Sequence, residues 1–216
     1  MGVVGEQIAF FRNSLPAGVK LVAVSKFKPV EAIMEAYEAG QRVFGENRPL
    51  EFQEKARQLP DDIEWHFIGH LQTNKVKNVV PYAALIQSID SEHLLKAVND
   101  QAAKTGKVQD ILLEVFVASE ETKHGLSGDE AVDLAARMSD YPNVRLRGVM
   151  AMATFTDDMD QVRREFSNAA AIAAEVAAVA GIEKPEISMG MTGDYETAIE
   201  CGSTMVRIGT AIFGAR

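Results

Sequence analysis

The sequence contains a single cysteine, Cys201, among 216 residues, so an intrachain disulfide is excluded. It lacks a cationic amino-terminal stretch followed by an apolar segment, which argues against a secretory signal peptide. Polar or charged residues interrupt every long apolar run; Glu175, for example, interrupts the alanine-rich stretch Ala169–Ala180. These absences predict a cytoplasmic protein that does not enter a membrane.

Basic residues are also scarce, since 22 lysines and arginines face 31 acidic residues and give a net charge of −9. Such a charge repels nucleic acid at long range, and the basic clusters at 75–77 and 145–147 are too short to form a phosphate-binding surface. Nucleic acid is therefore not a predicted partner. No linker rich in proline, glycine or serine divides the chain, so residues 1–216 are predicted to form one domain.

Short runs rich in β-branched residues alternate with amphipathic helical segments, a pattern typical of parallel sheets. After a first helix near residues 5–14, eight strands are predicted at Lys20–Ser25, Arg42–Gly45, Glu64–Ile68, Leu85–Ile89, Asp110–Val117, Arg145–Met152, Glu186–Met189 and Met205–Phe213. The number of strand–helix units favours an α/β fold in the form of a single (β/α)8 TIM barrel. Periodicity alone does not exclude an open doubly wound sheet.

Functional groups of such barrels lie at the carboxyl ends of the strands, and phosphate groups often bind at the loops after strands 7 and 8. Gly190, Thr192 and Gly193 follow the seventh predicted strand, while Gly209 and Thr210 lie at the end of the eighth. These glycines and hydroxyl groups suit an anion, although they also suit ordinary tight turns. Asp194 is an expected cap for the next helix.

Lys26 directly follows the apolar first strand and is directed toward the mouth of the predicted barrel. It either extends its ammonium group to solvent or serves as a nucleophilic amine that forms a Schiff base with an aldehyde. Lys28 competes for the second role but precedes Pro29 at a helix start, so it is expected to face solvent. A lysine opposite a phosphate site indicates pyridoxal 5′-phosphate as the cofactor.

Arg207 shares a strand face with Gly209 and is expected to approach the pyridine nitrogen of that cofactor. A permanent cation there would keep the nitrogen unprotonated and weaken the ring as an electron sink. A structural ion pair in the barrel wall is the alternative interpretation of this arginine.

The histidines do not predict a metal site. His66 lies in the third predicted strand and His70 just after its end, and no cysteine or acidic cluster joins them, so structural or pocket-lining roles are favoured. His124 lies in a loop after the fifth strand and is given no chemical role.

Taken together, the segments LVAVSKFKP, FGEN, WHFIGHLQTNK and ISMGMTGDYETAIECGSTMVRIGTAIFG closely resemble the YggS/PROSC family of pyridoxal phosphate homeostasis proteins. The resemblance extends over nearly the whole chain and implies a barrel like the N-terminal domain of alanine racemase. It implies that Lys26 forms the Schiff base and that Arg207 faces the pyridine nitrogen. It further implies a phosphate cradle of Ser188, Thr192, Gly209 and Thr210, with Asn47 near the ring and Met191 lining the pocket.

This resemblance implies storage, buffering or delivery of the cofactor without a dedicated enzymatic reaction, with apo-enzymes that need the cofactor as possible recipients. The sequence departs from the common family pattern at Phe27, at 48–50 and at 123–125, which affects the mouth rather than Lys26. The principal alternative is an amino-acid racemase or another enzyme that uses the same cofactor. A racemase needs a second base from an additional domain, for which no sequence remains after the eighth strand. A cofactor-free scaffold is the other alternative, and a monomer is expected because no apolar dimer stripe is present.

Overall fold

The computed structural model describes residues 2–118 and 125–215, and within them eight parallel strands close into a barrel. The strands pair in chain order, and the last strand pairs with the first. Their bounds are β1 Lys20–Val24, β2 Val43–Glu46, β3 Glu64–Phe67, β4 Leu85–Ile89, β5 Gln109–Val115, β6 Val144–Ala151, β7 Glu186–Ser188 and β8 Met205–Ile208. The predicted TIM barrel is confirmed, and the open doubly wound sheet is excluded.

Helices surround the barrel at α1 Val3–Ser14, α2 Val30–Glu38, α3 Pro49–Gln58, α4 Val76–Val79, α5 Glu92–Lys104, α6 Gly128–Ala136, α7 Met159–Ala180, α8 Tyr195–Glu200 and α9 Thr210–Phe213. A capping box fixes the start of α6, because Ser127 accepts from the Glu130 amide while the Glu130 carboxylate accepts from the Ser127 amide. No helix in the described ranges, α7 included, combines the length and apolarity needed to cross a bilayer.

The predicted eighth strand is too long. It ends at Ile208, and residues 210–213 form α9, in which the amides of Ile212 and Phe213 donate to the Gly209 carbonyl. The helix buries Ile212 against the main hydrophobic core, which explains why this segment is as apolar as a strand. The consequence for the site is that Thr210 begins a helical turn at the barrel mouth.

Two hydrophobic clusters support the barrel. The larger one fills the layer between the strands and the helices, while a smaller cluster includes Val22, Leu112 and Met205 from β1, β5 and β8. Because side chains alternate along a strand, residues two positions further toward the carboxyl ends share the inner face. That alternation directs Glu114 and Arg207 into the space above the smaller cluster.

Close approach of two strands requires glycine at position 148. Gly148 has a φ of 151°, and a Cβ atom there would collide with the Glu186 carbonyl of the neighbouring strand. A register shift between β5 and β6 occurs at the same level, where Leu112 pairs with Gly148. This bulge moves the later part of β6, including Ala151, into its position next to the site.

Candidate functional site

A cavity of about 610 Å³ opens at the carboxyl ends of the strands. Seven of the eight predicted cofactor-binding residues line it, namely Lys26, Asn47, Met191, Thr192, Arg207, Gly209 and Thr210. They come from β1, β2, β7 and β8 or the loops that follow those strands, which places them on neighbouring sides of the closed barrel. Ser188 is the predicted residue that does not line the cavity.

Lys26 is half-buried at the cavity wall, immediately before a sharp change in backbone direction. The next residue, Phe27, has a left-handed φ of 63°, a conformation that costs about 1–2 kcal/mol for a residue with a side chain. The Phe27 amide donates to Glu51 Oε1 over 2.7 Å, and the guanidinium of Arg48 lies 4.3 Å from the centre of the Phe27 ring. These contacts hold the turn that directs Lys26 toward the cavity.

The residue on the other side of Lys26 is held by a buried ammonium group. Lys55 Nζ donates to the Ser25 carbonyl over 2.8 Å and to Glu46 Oε1 and Glu51 Oε1 over 2.7 Å each. The Ser25 hydroxyl also donates to Glu46 Oε1 over 2.7 Å. Burial raises the pKa of the Glu46 carboxyl, and the contacts from Lys55 and Ser25 oppose that rise. These contacts of Lys55 with Ser25, Glu46 and Glu51, here called the Lys55 network, hold the end of β1 in place.

Lys28 is half-buried, and its ammonium group ties the carboxyl-terminal segment to the barrel, a role that its predicted position at a solvent-facing helix start did not reveal. Nζ donates to the carbonyls of Phe213, Gly214 and Ala215 at 2.9, 3.1 and 3.0 Å. These carbonyls belong to the end of α9 and the residues after it, where a cation satisfies otherwise unpaired acceptors. With its three donors engaged, Lys28 is better suited to anchoring α9 than to nucleophilic chemistry.

Arg207 is almost fully buried at the base of the cavity. One terminal nitrogen donates to the Ser188 carbonyl and hydroxyl over 2.8 and 2.7 Å, and the other donates to the Ala151 carbonyl over 3.0 Å. Desolvation lowers the pKa of its guanidinium to about 10, while Glu114 and Asp194 oppose the shift, so the group stays cationic at neutral pH. The cavity therefore has a fixed positive charge at its base.

A buried hydrogen-bond chain continues behind Arg207. The Ser188 hydroxyl donates to Gln87 Oε1 over 2.7 Å, and Gln87 Nε2 lies 2.9 Å from His66 Nδ1. Desolvation lowers the pKa of His66 to about 3, so its ring is neutral and Nδ1 accepts from the amide of Gln87. The chain orients Ser188 toward Arg207 rather than toward the open cavity.

Replacing Ser188 by alanine is expected to lower the free energy of unfolding by about 1–3 kcal/mol, because Arg207 loses an acceptor and Gln87 Oε1 loses its donor. Urea denaturation followed by circular dichroism measures this change. The matched control is Ser167→Ala on the exposed face of α7, expected to change stability by less than about 0.5 kcal/mol. Equal stabilities of the two variants would contradict the role of Ser188 as a buried acceptor.

The loop after β7 is held in a compact form beside the cavity. The Met191 amide donates to the carboxylate of Asp194, and the Arg207 amide donates to the Gly190 carbonyl over 2.9 Å. Asp194 therefore closes the loop instead of capping α8 with its side chain, as predicted from sequence. Gly190 has a φ of 94°, and a Cβ there would collide with Ala198 Cβ and with Tyr195 Cα. The exposed residues Thr192 and Gly193 are left at the cavity edge.

Asn47 presents an unsatisfied acceptor to the site. Its Oδ1 atom is buried and has no hydrogen-bond partner among the residues that the structure describes, although the residue lines the cavity. Buried polar atoms are rarely left without a partner, so this atom fits a ligand that supplies a donor, or an acceptor if the amide is flipped.

Glu114 also lines the cavity and was not identified from the sequence. Its side chain is 5% exposed, and burial raises its pKa to about 7, with a further increase from Asp90 and a decrease from Arg207. Asp90 in turn lies 3.1 Å from His70 Nδ1. The available signal was a single charged residue inside the apolar run 111–117, at an inward position of β5.

The histidines do not converge on a common site. His66 is buried beneath the cavity, whereas His70 lies at the cavity wall beside Asp90. In the part of the chain that the structure describes, no three His, Cys, Asp or Glu side chains are arranged to hold a metal ion. His124 lies outside the described residues.

Comparisons with known proteins agree on one family. The family model for the alanine racemase N-terminal domain matches residues 4–216. A pyridoxal phosphate homeostasis protein of Pasteurella multocida is 41% identical over 204 residues, which cover 93% of this chain and 88% of the relative. The structure of PipY from Synechococcus elongatus PCC7942 with pyridoxal phosphate bound is 35% identical, with a TM-score of 0.90 over 98% of this chain and 100% of PipY.

More distant structures share the fold alone. Alanine racemase of Clostridium difficile 630 is 13% identical, with a TM-score of 0.84 over 99% of this chain and 57% of the racemase. This chain therefore matches a little over half of that longer chain.

Proposed function

The chain belongs to the family of pyridoxal phosphate homeostasis proteins, which have the fold of the alanine racemase N-terminal domain, and from this premise we propose that it binds pyridoxal 5′-phosphate and takes part in the homeostasis of that cofactor. The observation that carries the proposal is the position of Lys26 in one cavity with Arg207 and the loops after β7 and β8. We place this role in the cytoplasm, with storage, buffering or delivery as the activity.

Lys26 is the proposed anchor of the cofactor. Pyridoxal phosphate supplies an aldehyde, and a lysine amine binds that group covalently as a Schiff base. Of the two lysines that the described residues bring to the cavity, Lys28 has its ammonium group bound to three carbonyls, whereas Lys26 follows β1 directly at the wall. The Lys55 network and the Phe27 turn hold Lys26 from both sides, which limits the conformational freedom lost on binding.

Arg207 is the proposed partner of the pyridine nitrogen. A cation at that position disfavours protonation of the nitrogen and so weakens the ring as an electron sink. Ser188 and Ala151 fix the guanidinium in the barrel wall, so its effect on the pyridine ring does not depend on a movement of Arg207. A weaker electron sink slows reactions that pass through a carbanion, which suits the proposed role as a carrier or regulator. Apo-enzymes that require the cofactor are the proposed recipients, and the carrier acts as a monomer.

The phosphate group is proposed to bind at the loops after β7 and β8, where Met191, Thr192, Gly209 and Thr210 line the cavity. Ser188 contributes to this cradle indirectly, since its hydroxyl is bonded to Gln87 and Arg207. Lys28 supports the cradle by anchoring the far end of α9, whose first residue is Thr210.

Replacing Thr210 by alanine is expected to weaken cofactor binding by about 1.5–3 kcal/mol, or about tenfold or more in the dissociation constant, because a hydrogen bond to a charged phosphate is lost. An absorbance titration with pyridoxal phosphate measures the change. Thr156→Ala serves as the control, since Thr156 lines the same cavity from the loop before α7. An unchanged constant for Thr210→Ala would remove this residue from the cradle.

The proposed function is tested by the absorption spectrum of the purified protein before and after borohydride treatment, followed by mass spectrometry of the modified peptide. We expect an absorption band from the Schiff base that disappears on reduction. Mass spectrometry should then find a stable adduct on Lys26. Absence of a band after pyridoxal phosphate is added would contradict cofactor binding. A stoichiometric adduct on another lysine would contradict Lys26 as the anchor and would still support binding of the cofactor.

A further inference from the structure

The side of the cavity formed by β3, β4 and β5 carries a different chemistry from the phosphate side. His70 follows β3, Asp90 follows β4 and Glu114 lies near the end of β5, so three consecutive strands contribute polar groups to neighbouring positions. Asp90 pairs with His70 and influences the ionisation of Glu114. None of these groups is needed for the proposed contacts of Lys26, the phosphate cradle or Arg207.

Glu114 is the unusual member of the three. It is 95% buried and lines the cavity, yet its carboxylate has no hydrogen-bond donor among residues 2–118 and 125–215. Arg207 is near enough to act on it electrostatically, but the guanidinium donates to Ser188 and Ala151 instead. A buried carboxyl group without a donor is costly, which indicates that its partner is a ligand that enters the cavity.

We propose that Glu114 binds the ammonium group of an alkylamine that enters the cavity beside the cofactor. The inference rests on the proposed function for its biological meaning, since an amine is the chemical group that removes an aldehyde from a lysine. An ammonium group supplies both the positive charge and the N–H donors that Glu114 lacks, and Asp90 adds a second negative charge behind it.

The charge of the cavity mouth selects the class of amine. Asp157 and Asp194 line the same cavity, while Lys28 and Arg207 are bonded to protein acceptors and Lys26 is the proposed anchor of the cofactor. A carboxylate next to the amine would meet this negative surface and be repelled. An alkylamine such as a lysine side chain therefore fits better than an α-amino acid, and a lysine is the group that holds pyridoxal phosphate in the enzymes that use it.

The exchange that such an amine performs is balanced without an oxidant or reductant. The incoming nitrogen forms a double bond to the aldehyde carbon as the bond from that carbon to Lys26 nitrogen breaks. The incoming ammonium group loses three protons, the first of them to the Glu114 carboxylate, and Lys26 gains three and leaves as an ammonium group. Glu114 thus both binds the amine and accepts the proton that blocks its nucleophilicity.

The binding step is tested on cofactor-free protein by NMR chemical-shift titration with n-butylamine at pH 8. Glu114→Gln, which keeps the shape and removes the charge, is expected to weaken binding at least tenfold, and Glu114→Asp to recover part of the affinity. Asp157→Asn is the matched control, because it removes an exposed carboxylate from the same cavity and should change affinity less than threefold. Glycine is expected to bind at least tenfold more weakly than butylamine. Equal affinities of wild type and Glu114→Gln, or of butylamine and glycine, would overturn the inference.

The affinity for butylammonium should also increase as the pH rises. Because burial raises the pKa of Glu114 to about 7, its carboxylate form dominates above neutrality, and butylammonium should bind about tenfold more tightly at pH 8 than at pH 6. Asp90 acts on Glu114 from the end of β4, and the other ionisable side chains that the described residues bring to the cavity are Lys26, Lys28, His70, Asp157, Asp194 and Arg207. Glu114→Gln separates their contribution, since its remaining pH dependence belongs to them. A tenfold change that persists in this variant would contradict the assignment to Glu114.

The release step is tested on protein loaded with pyridoxal phosphate. Butylamine should accelerate the loss of the absorption band in wild type, and the amine-dependent rate should fall at least tenfold in Glu114→Gln while the resting band is retained. An unchanged rate in this variant would overturn the inference and leave the proposed function intact. Protein that never acquires the band would instead contradict the proposed function, and the titration on cofactor-free protein would still decide the ammonium site.

Discussion

Lys26→Ala is expected to abolish the covalent adduct with pyridoxal phosphate completely, because the variant lacks the amine that lines the cavity wall at the end of β1. The lysine nearest in sequence, Lys28, is held by the carbonyls of Phe213, Gly214 and Ala215. Contacts from the phosphate side should leave weak, reversible binding of the cofactor. Borohydride reduction followed by intact-mass measurement gives the result directly, since each retained cofactor adds a fixed mass.

The control for this experiment is Lys28→Ala. It should form the adduct on Lys26 in full, but release the cofactor faster, because α9 loses its anchor and Thr210 lies at the start of that helix. Stoichiometric labelling of Lys26→Ala would refute the assignment of the anchor. Loss of labelling in Lys28→Ala alone would transfer the assignment to Lys28.

Lys55→Met is expected to lower the free energy of unfolding by about 3–5 kcal/mol, the cost typical of removing one partner from a buried ion pair. Glu46 would keep its burial and lose its cation, and one of its oxygens already has no partner among the described residues. The loss should be larger at higher pH and shrink as the pH falls, because protonation of Glu46 relieves the cost of a buried charge. Urea denaturation at several pH values measures the loss of unfolding free energy and the direction in which that loss changes with pH.

The matched control is Lys96→Met, which breaks a largely exposed ion pair with Asp100 on α5. Its effect should remain below about 1 kcal/mol at every pH. A loss of less than about 1 kcal/mol in Lys55→Met, or a loss independent of pH, would show that the network contributes little beyond ordinary packing. A slower formation of the adduct on Lys26 in this variant would connect the network to the position of the anchor.

The sequence allowed the barrel and much of its mouth to be predicted because both depend on local patterns. The end of the first strand pointed to Lys26 and alternation along the eighth to Arg207, whereas Asn47 and Met191 came from the family resemblance; all four line one cavity in the structure. The end of β8 was less predictable, since an apolar segment such as 210–213 suits either a strand or a buried helical turn. The choice is made by the burial of Ile212 in the layer between strands and helices.

Residues that depend on distant partners were harder to recognise. Lys55 lies in a polar helix and reads as exposed, but its ammonium group donates to Ser25 and Glu46, which lie 30 and 9 residues earlier and belong to other elements of the barrel. The buried role of Ser188 was hard to recognise for the same reason, because its partners Gln87 and Arg207 come from β4 and β8. Glu114 was overlooked for a different reason: a strand that is apolar on both sides of a single carboxyl group reads as core.

The pairing of β1 with β8 determines when the site can form during synthesis of the chain. Lys26 follows the first strand in sequence, whereas Arg207 belongs to β8 and Gly209 and Thr210 follow it. The two strands pair in register from Lys20 with Met205 to Ala23 with Ile208. During translation the site cannot assemble until β8 has left the ribosome and closed the ring. A cofactor joined to Lys26 and held by the β8 loop would then bridge this seam and slow its reopening, so that retention of the cofactor marks a chain that has finished folding.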